Sequence, residues 1–162
     1  MLTNLVLGLG TIMVCLFLQL TVLIWVFRFY RRRNQRLKSP SIWTGIASMQ
    51  AVMMLLLAGN IIQIAVWAEL YVFLGEFQDF EMAFYHSSVN FATLGYGDVV
   101  MSAKHKLLGP LEAVNGALMI GVSTGALMAA FQDATKRAIQ AARSAWTPYG
   151  VLICIRFSCS QP

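Results

Sequence analysis

The sequence predicts an all-α membrane protein: three transmembrane helices, with a short re-entrant helix between the second and the third. Composition is one reason, since 58% of the 162 residues are hydrophobic, 12% are charged and the mean hydropathy is +0.65, too apolar for an ordinary soluble domain. Length is another, because three apolar stretches each reach the roughly 20 residues that a bilayer crossing requires. A break between the last two completes the pattern. There, about three to four helical turns from Asp79 to Ala92 lead into Thr93-Leu94-Gly95-Tyr96-Gly97-Asp98.

The first stretch runs from about Leu5 to Phe27 and carries Gln19 but no charge. It does not read as a secretory signal: no basic residue precedes it, a basic cluster follows it, and its apolar core exceeds the ~7 to 15 residues of a signal peptide. Ser39 and Pro40 open the second helix, Ser as a cap and Pro in the first turn, where its missing N–H costs nothing. The apolar run then extends from about Trp43 to Phe73. Trp67 and Tyr71 are expected at the outer membrane interface as amphipathic anchors, and Trp25, Phe27, Phe29 and Tyr30 at the inner one.

Asp79 to Ala92 contains no Gly or Pro and is too short and too polar to span, which suits a helix entering half the bilayer. The third crossing, about Lys106 to Phe131, holds Gly109, Gly116, Gly121 and Gly125 and needs close neighbours to stay helical. Three regions follow: an N-terminal helix with a basic linker (1–38), a helix–short helix–break–helix unit (39–133) and a short tail (134–162). The Ala-rich residues Ala134 to Ala145 extend the last helix, whereas the segment beyond Pro148 reads poorly as a helix or a packed domain.

Charge orients the chain. Arg28, Arg31, Arg32, Arg33, Arg36 and Lys38 lie between the first two stretches, and Lys136, Arg137, Arg143 and Arg156 follow the third. Glu69, Glu76, Asp79, Glu81 and Asp98 occupy the region between the second stretch and the break, without any Lys or Arg. The positive-inside rule therefore puts the linker and the C-terminus in the cytoplasm, and the acidic region and the N-terminus outside. The basic linker is expected to rest on anionic membrane lipid, each Lys or Arg contributing about 1 kcal/mol. The net charge of +5 needs no nucleic acid to explain it.

Thr93 to Asp98 resembles the selectivity filter of the potassium-channel superfamily. About Trp43 to Phe131 resembles that superfamily's pore domain, most closely the small prokaryotic channels with one pore loop per chain. The resemblance implies that Thr93, Leu94, Gly95, Tyr96 and Gly97 bind potassium ions, their backbone carbonyls and the Thr93 hydroxyl replacing the water an ion sheds. Asp98 would stand at the outer pore mouth. A strand whose carbonyls share one axis alternates left- and right-handed backbone, and only Gly reaches the left-handed region cheaply. Gly95 and Gly97 supply it, leaving Thr93, Leu94 and Tyr96 in ordinary conformations. Non-helical backbone at membrane depth also needs protein around it or a water-filled path beside it.

Departures from the family pattern are Leu94 in place of Val or Ile, and Asn90 and Ala92 where Thr is frequent. Val89 stands where some relatives hold a carboxylate that pairs with the outer Asp. Tyr85 and Asn90 are expected to support the filter, with Tyr85 packing or hydrogen-bonding near Tyr96. Gly121 or Gly125 falls where relatives place a hinge; the other reading is that these glycines and Gly116 only admit close helix contacts. Ser123 and Thr124 are expected to line the inner cavity.

The expected function is a potassium-selective channel subunit that conducts K+ passively as a homotetramer in the plasma membrane, with potassium ions in the filter and no other cofactor. Alternatives are a less selective cation channel and a non-conducting subunit that assembles with other channel chains. Strong voltage gating is not expected, since neither of the first two stretches carries a repeated Arg or Lys series. An enzyme is not expected either, because His86 and His105 have no nucleophile or carboxylate at a recognisable spacing. His86 reads as a packing residue or a pH sensor, and Glu69 and Glu76 read as solvated loop charges. Cys15, Cys154 and Cys159 show no metal-ligand spacing, and the two tail cysteines lie on the side where disulfides seldom persist.

Overall fold

A computed structural model describes residues 2–36 and 42–158. Lys38, the helix start expected at Ser39 and Pro40, and Cys159 lie outside the described residues. The described residues form four helices: α1 (Leu2–Arg36), α2 (Ile42–Phe73), α3 (Phe80–Phe91) and α4 (Leu108–Ser158). Three are long and apolar enough to cross a membrane, over Leu2–Arg33, Gly45–Phe73 and Leu108–Gln140. The chain is a multi-pass membrane protein. The 12 residues of α3 rise only about 18 Å, short of a bilayer core about 30 Å thick.

The long helices pack side by side, and small residues let them approach. A Cβ on Gly8 would meet Leu111 Cδ1 at 2.5 Å, and one on Gly59 would meet Val22 at 3.0 Å. Polar contacts link residues 4 to 104, 19 to 123 and 30 to 130, so α1 and α4 run in the same direction. One apolar cluster, near α3, joins Cys15, Trp67, Tyr71, Ala83, Phe91, Leu108 and Met119. A second, at the opposite end, joins Val26, Tyr30, Val52, Leu56 and Ala130.

Several interface anchors are therefore core residues instead. Trp67, Tyr71 and Tyr30 are buried, whereas Trp25, Phe27 and Phe29 are exposed. The reason is that α2 is apolar on every side, so its pattern does not reveal which face meets the bundle. Trp67 and Tyr71 are one turn apart on the face that does.

Helix α4 does not stop near Pro148 but continues to Ser158, contrary to the sequence expectation. An interior proline costs about 3 kcal/mol. An established helix nevertheless gains a hydrogen bond with each added residue, and the Ala-rich run before Pro148 is a strong helix former. Among the glycines of α4, Gly116 packs closest: a Cβ there would lie 2.0 Å from Phe91 O, so only a bare backbone fits against the end of α3. Gly121 and Gly125 have nothing within 4 Å of a built Cβ. The close-contact reading thus holds for Gly116 and has no support within this chain for the other two.

Candidate functional site: the 93–98 segment and its scaffold

Helix α3 has no Gly to end it, yet it ends in a tight hydrogen-bonded cap. Leu94 N–H donates to Val89 O at 2.9 Å and Thr93 N–H to Asn90 O at 2.8 Å, the paired bonds of a Schellman motif. That motif requires a left-handed residue just past the helix, and Thr93 takes it with φ +58°. The expectation that Thr93 would be conformationally ordinary is therefore corrected. Thr93 is at once the helix terminator and the first residue of the segment, and a β-branched residue there stores about 1–3 kcal/mol of strain.

Gly95 and Gly97 follow at φ +58° and +75°, while Leu94 and Tyr96 keep negative φ. Left-handed backbone thus recurs at 93, 95 and 97. Such alternation is the backbone pattern by which successive peptide groups can be turned to the same side. Every residue from Thr93 to Asp98 is exposed, as are Gly121, Thr124 and Gly125 of α4.

Behind the segment, α3 holds its outer end by two side chains, Tyr85 and His86, the second of them steadied by Asn90. Tyr85 Oη donates to Asp98 Oδ2 at 2.6 Å, and Val99 N–H donates to Asp98 Oδ1 at 3.0 Å. Tyr85 therefore bonds Asp98 rather than Tyr96. This bond, aided by the Val99 amide against slight desolvation, holds the Asp98 carboxyl below its usual range, and the carboxylate raises the Tyr85 phenol in turn. His86 lies beside Val99, with Nδ1 at 2.9 Å from Val99 O and Nε2 at 2.8 Å from Asn90 Nδ2. A carbonyl only accepts and an amide nitrogen only donates, so the imidazole is neutral with its proton on Nδ1. Burial pulls the His86 pKa below its ordinary value, outweighing the Val99 contact and the nearby carboxylates. Its ring also packs against Tyr71 and Phe77, which makes it a satisfied packing residue.

The deepest support comes from α4. Glu112 is fully buried, accepts from Tyr71 Oη at 2.6 Å and lies against Ser87 Oγ, which is also 2.9 Å from Ile64 O. Asn90 reaches the same carboxylate. Glu112 thus ties α2, α3 and α4 together behind the segment. Gly109 and Gly116 flank it on one face of α4, Gly109 beneath the Asn90 amide and Gly116 beneath Phe91 O, so small residues bring the carboxylate close. Sequence reading passed over Glu112. The available signal was an ionisable residue inside an apolar run, which costs enough in a membrane to need a purpose.

A second tie joins the loops on either side of α3 and the segment. Glu76 accepts from Ser102 N and Ser102 Oγ, both at 2.7 Å, and meets His105 Nδ1. Desolvation acts upward on Glu76, but these bonds prevail and hold it below the usual carboxylate range. Glu76 is therefore a structural ligand of the loop after the segment and not a free loop charge. His105 does have a carboxylate partner, 29 residues away in sequence. Glu69 is exposed. Ser123 turns into the bundle, with Oγ 3.0 Å from Gln19 Nε2, and only Thr124 is exposed.

A family model described as an ion channel matches residues 51–133, about half the chain. The chain belongs to this ion-channel family. Neither the curated proteins nor the solved structures contain a significant match to it. The channel region so defined takes in most of α2, all of α3, the 93–98 segment, Glu112 and α4 as far as Asp133, and it leaves α1 outside.

Proposed function

We propose that this channel chain is one subunit of a potassium-selective homotetramer that passes K+ down its gradient, with residues 93–97 as the filter and α3 as a re-entrant pore helix. The observation that carries this reading is the left-handed backbone at 93, 95 and 97 in a segment exposed throughout. This alternation would turn a row of peptide oxygens toward a shared axis, and four copies around that axis would surround a bare cation. Asp98, held ionised by Tyr85, adds negative charge at the mouth. The C-terminal end of α3 points its carbonyl dipole toward the inner half of the path. Purified protein in liposomes is expected to show potassium flux with clear preference over sodium, and mass measurement in mild detergent is expected to give four chains. Equal sodium flux would favour a less selective cation channel. Absence of flux from a tetramer would favour a non-conducting subunit.

The proposal includes orientation in the plasma membrane, with the N-terminus outside and the C-terminus in the cytoplasm. It is supported by exposed Arg28, Arg31 and Arg32 at one end of the bundle and by the acidic loops at the other. With a membrane-impermeant thiol reagent, Gln78→Cys is expected to be labelled only from outside and Arg32→Cys only from inside. The reverse pattern would invert the topology.

A further inference from the structure

Helix α1 lies outside the matched ion-channel region, yet it holds α4 from the turn before it as far as Ala130. At one end Asn4 Nδ2 donates to Lys104 O at 2.5 Å; at the other Tyr30 Oη donates to Ala130 O at 3.3 Å. Between them Gly8 accepts the Leu111 side chain, and Cys15 adjoins Asn115. Midway along, Gln63 Nε2 donates to Gln19 Oε1 at 2.7 Å, and Gln19 Nε2 donates to Ser123 Oγ at 3.0 Å. Gln19 is buried and has its acceptor filled by α2 and its donor filled by α4.

The position of that last bond matters. Ser123 lies between Gly121 and Gly125, the two described glycines of α4 at which a built Cβ would meet nothing within 4 Å. A glycine in a helix interior weakens it by about 1 kcal/mol relative to alanine, so this is the stretch where α4 bends most easily. Two side chains from other helices hold it there, Gln19 of α1 and, at the longer distance of 3.4 Å, Asn60 of α2, whose Oδ1 accepts from Ser123 Oγ.

We propose that α1 is a positioning helix for the inner helix of the channel, and that Gln19 restrains bending of α4 at 121–125 through Ser123. This rests on the reading of α4 as the pore-lining helix. It assigns α1 a role in opening and closing rather than in anchoring alone. Gln63 couples α2 to the same restraint, so a displacement of α1 relative to α2 is felt at Ser123.

The direct test is amide hydrogen exchange in the purified full chain, which reads local helix opening without requiring conduction. Gln19→Leu and Ser123→Ala are each expected to speed exchange across residues 119–127 about threefold, the equilibrium worth of one interhelical hydrogen bond in a membrane. The double variant is expected to add nothing further, and Ser123→Thr, which keeps the hydroxyl, to behave as wild type. Residues 80–91 are expected to be unchanged. In single-channel records the same variants should shift the open–closed equilibrium by about threefold per chain, and about fifty- to hundredfold if four helices move together, with selectivity unaltered. Unchanged exchange at 119–127, or an equal rise in α3, overturns the proposal. Failure of potassium flux in the wild type would count against the channel reading and leave the exchange result to decide the restraint.

Discussion

Gly97→Ala and Gly95→Ala are expected to abolish potassium selectivity or conduction while the protein still inserts and remains helical. Both positions hold left-handed backbone, φ +75° and +58°, and neither has any atom within 4 Å of a built Cβ. The penalty within the chain is therefore conformational and not a clash. An L-residue in that region costs roughly 1–2 kcal/mol, and in the proposed tetramer four chains would repeat it to a total of about 4–8 kcal/mol. A backbone able to escape that cost by turning a peptide group over would remove an oxygen ring from the ion path. Thr93→Ala should be milder, because it removes a hydroxyl while the helix cap and the carbonyls remain. Liposome flux in potassium and sodium gradients checks the series. Glycine variants that conduct potassium with unchanged preference would rule out residues 93–97 as the filter.

Glu112→Ala is expected to have the second largest effect, on the stability of the assembly and on conduction together. The carboxylate accepts from Tyr71 and contacts Ser87, both buried, and its loss strands the Tyr71 hydroxyl inside the bundle. Ser87 retains Ile64 O, but Tyr71 has no other bond partner among those described, so the cost should be on the order of 2–4 kcal/mol per chain. Glu112→Gln should be far milder, because the amide keeps the volume and one acceptor, and the Tyr71 hydroxyl can turn to accept from its N–H. Thermal unfolding in detergent measures the stability difference, and flux measures whether the filter survives it. Equal behaviour of the Ala and Gln variants would mean that Glu112 acts by its charge and not by the bonds it accepts.

Much of the scaffold was legible because it depends on local sequence. The three crossings follow from apolar length. The short helix follows from a stretch too polar to span, and its ends at Phe80 and Phe91 fall within one residue of the expected Asp79 and Ala92. Gly95 and Gly97 declare left-handed backbone by composition alone. Thr93 did not, since its conformation is imposed by the cap of α3 and opposes its own preference.

Residues far apart in sequence were another matter. Glu76 and His105 each look like ordinary loop residues until the chain brings them into contact across 29 positions. Trp67 and Tyr71 look like interface anchors until α3 and α4 cover them. Glu112 and Gln19 were readable as polar residues in apolar runs, but nothing in either run names a partner.

By itself, then, the sequence determined the membrane class, the number of crossings, the place of the break and the residue types that make an alternating backbone possible. Those properties are set by hydrophobic length and by backbone sterics, which act over a few residues at a time. Only the tertiary structure decided which side chains stand behind that break and which helix grips α4 beside its glycines. In an apolar solvent every side of α2 and α4 is equally welcome, so periodicity cannot mark their contact faces. The faces are chosen by the close approach of Gly8, Gly59 and Gly116 and by the few polar groups that must find one another.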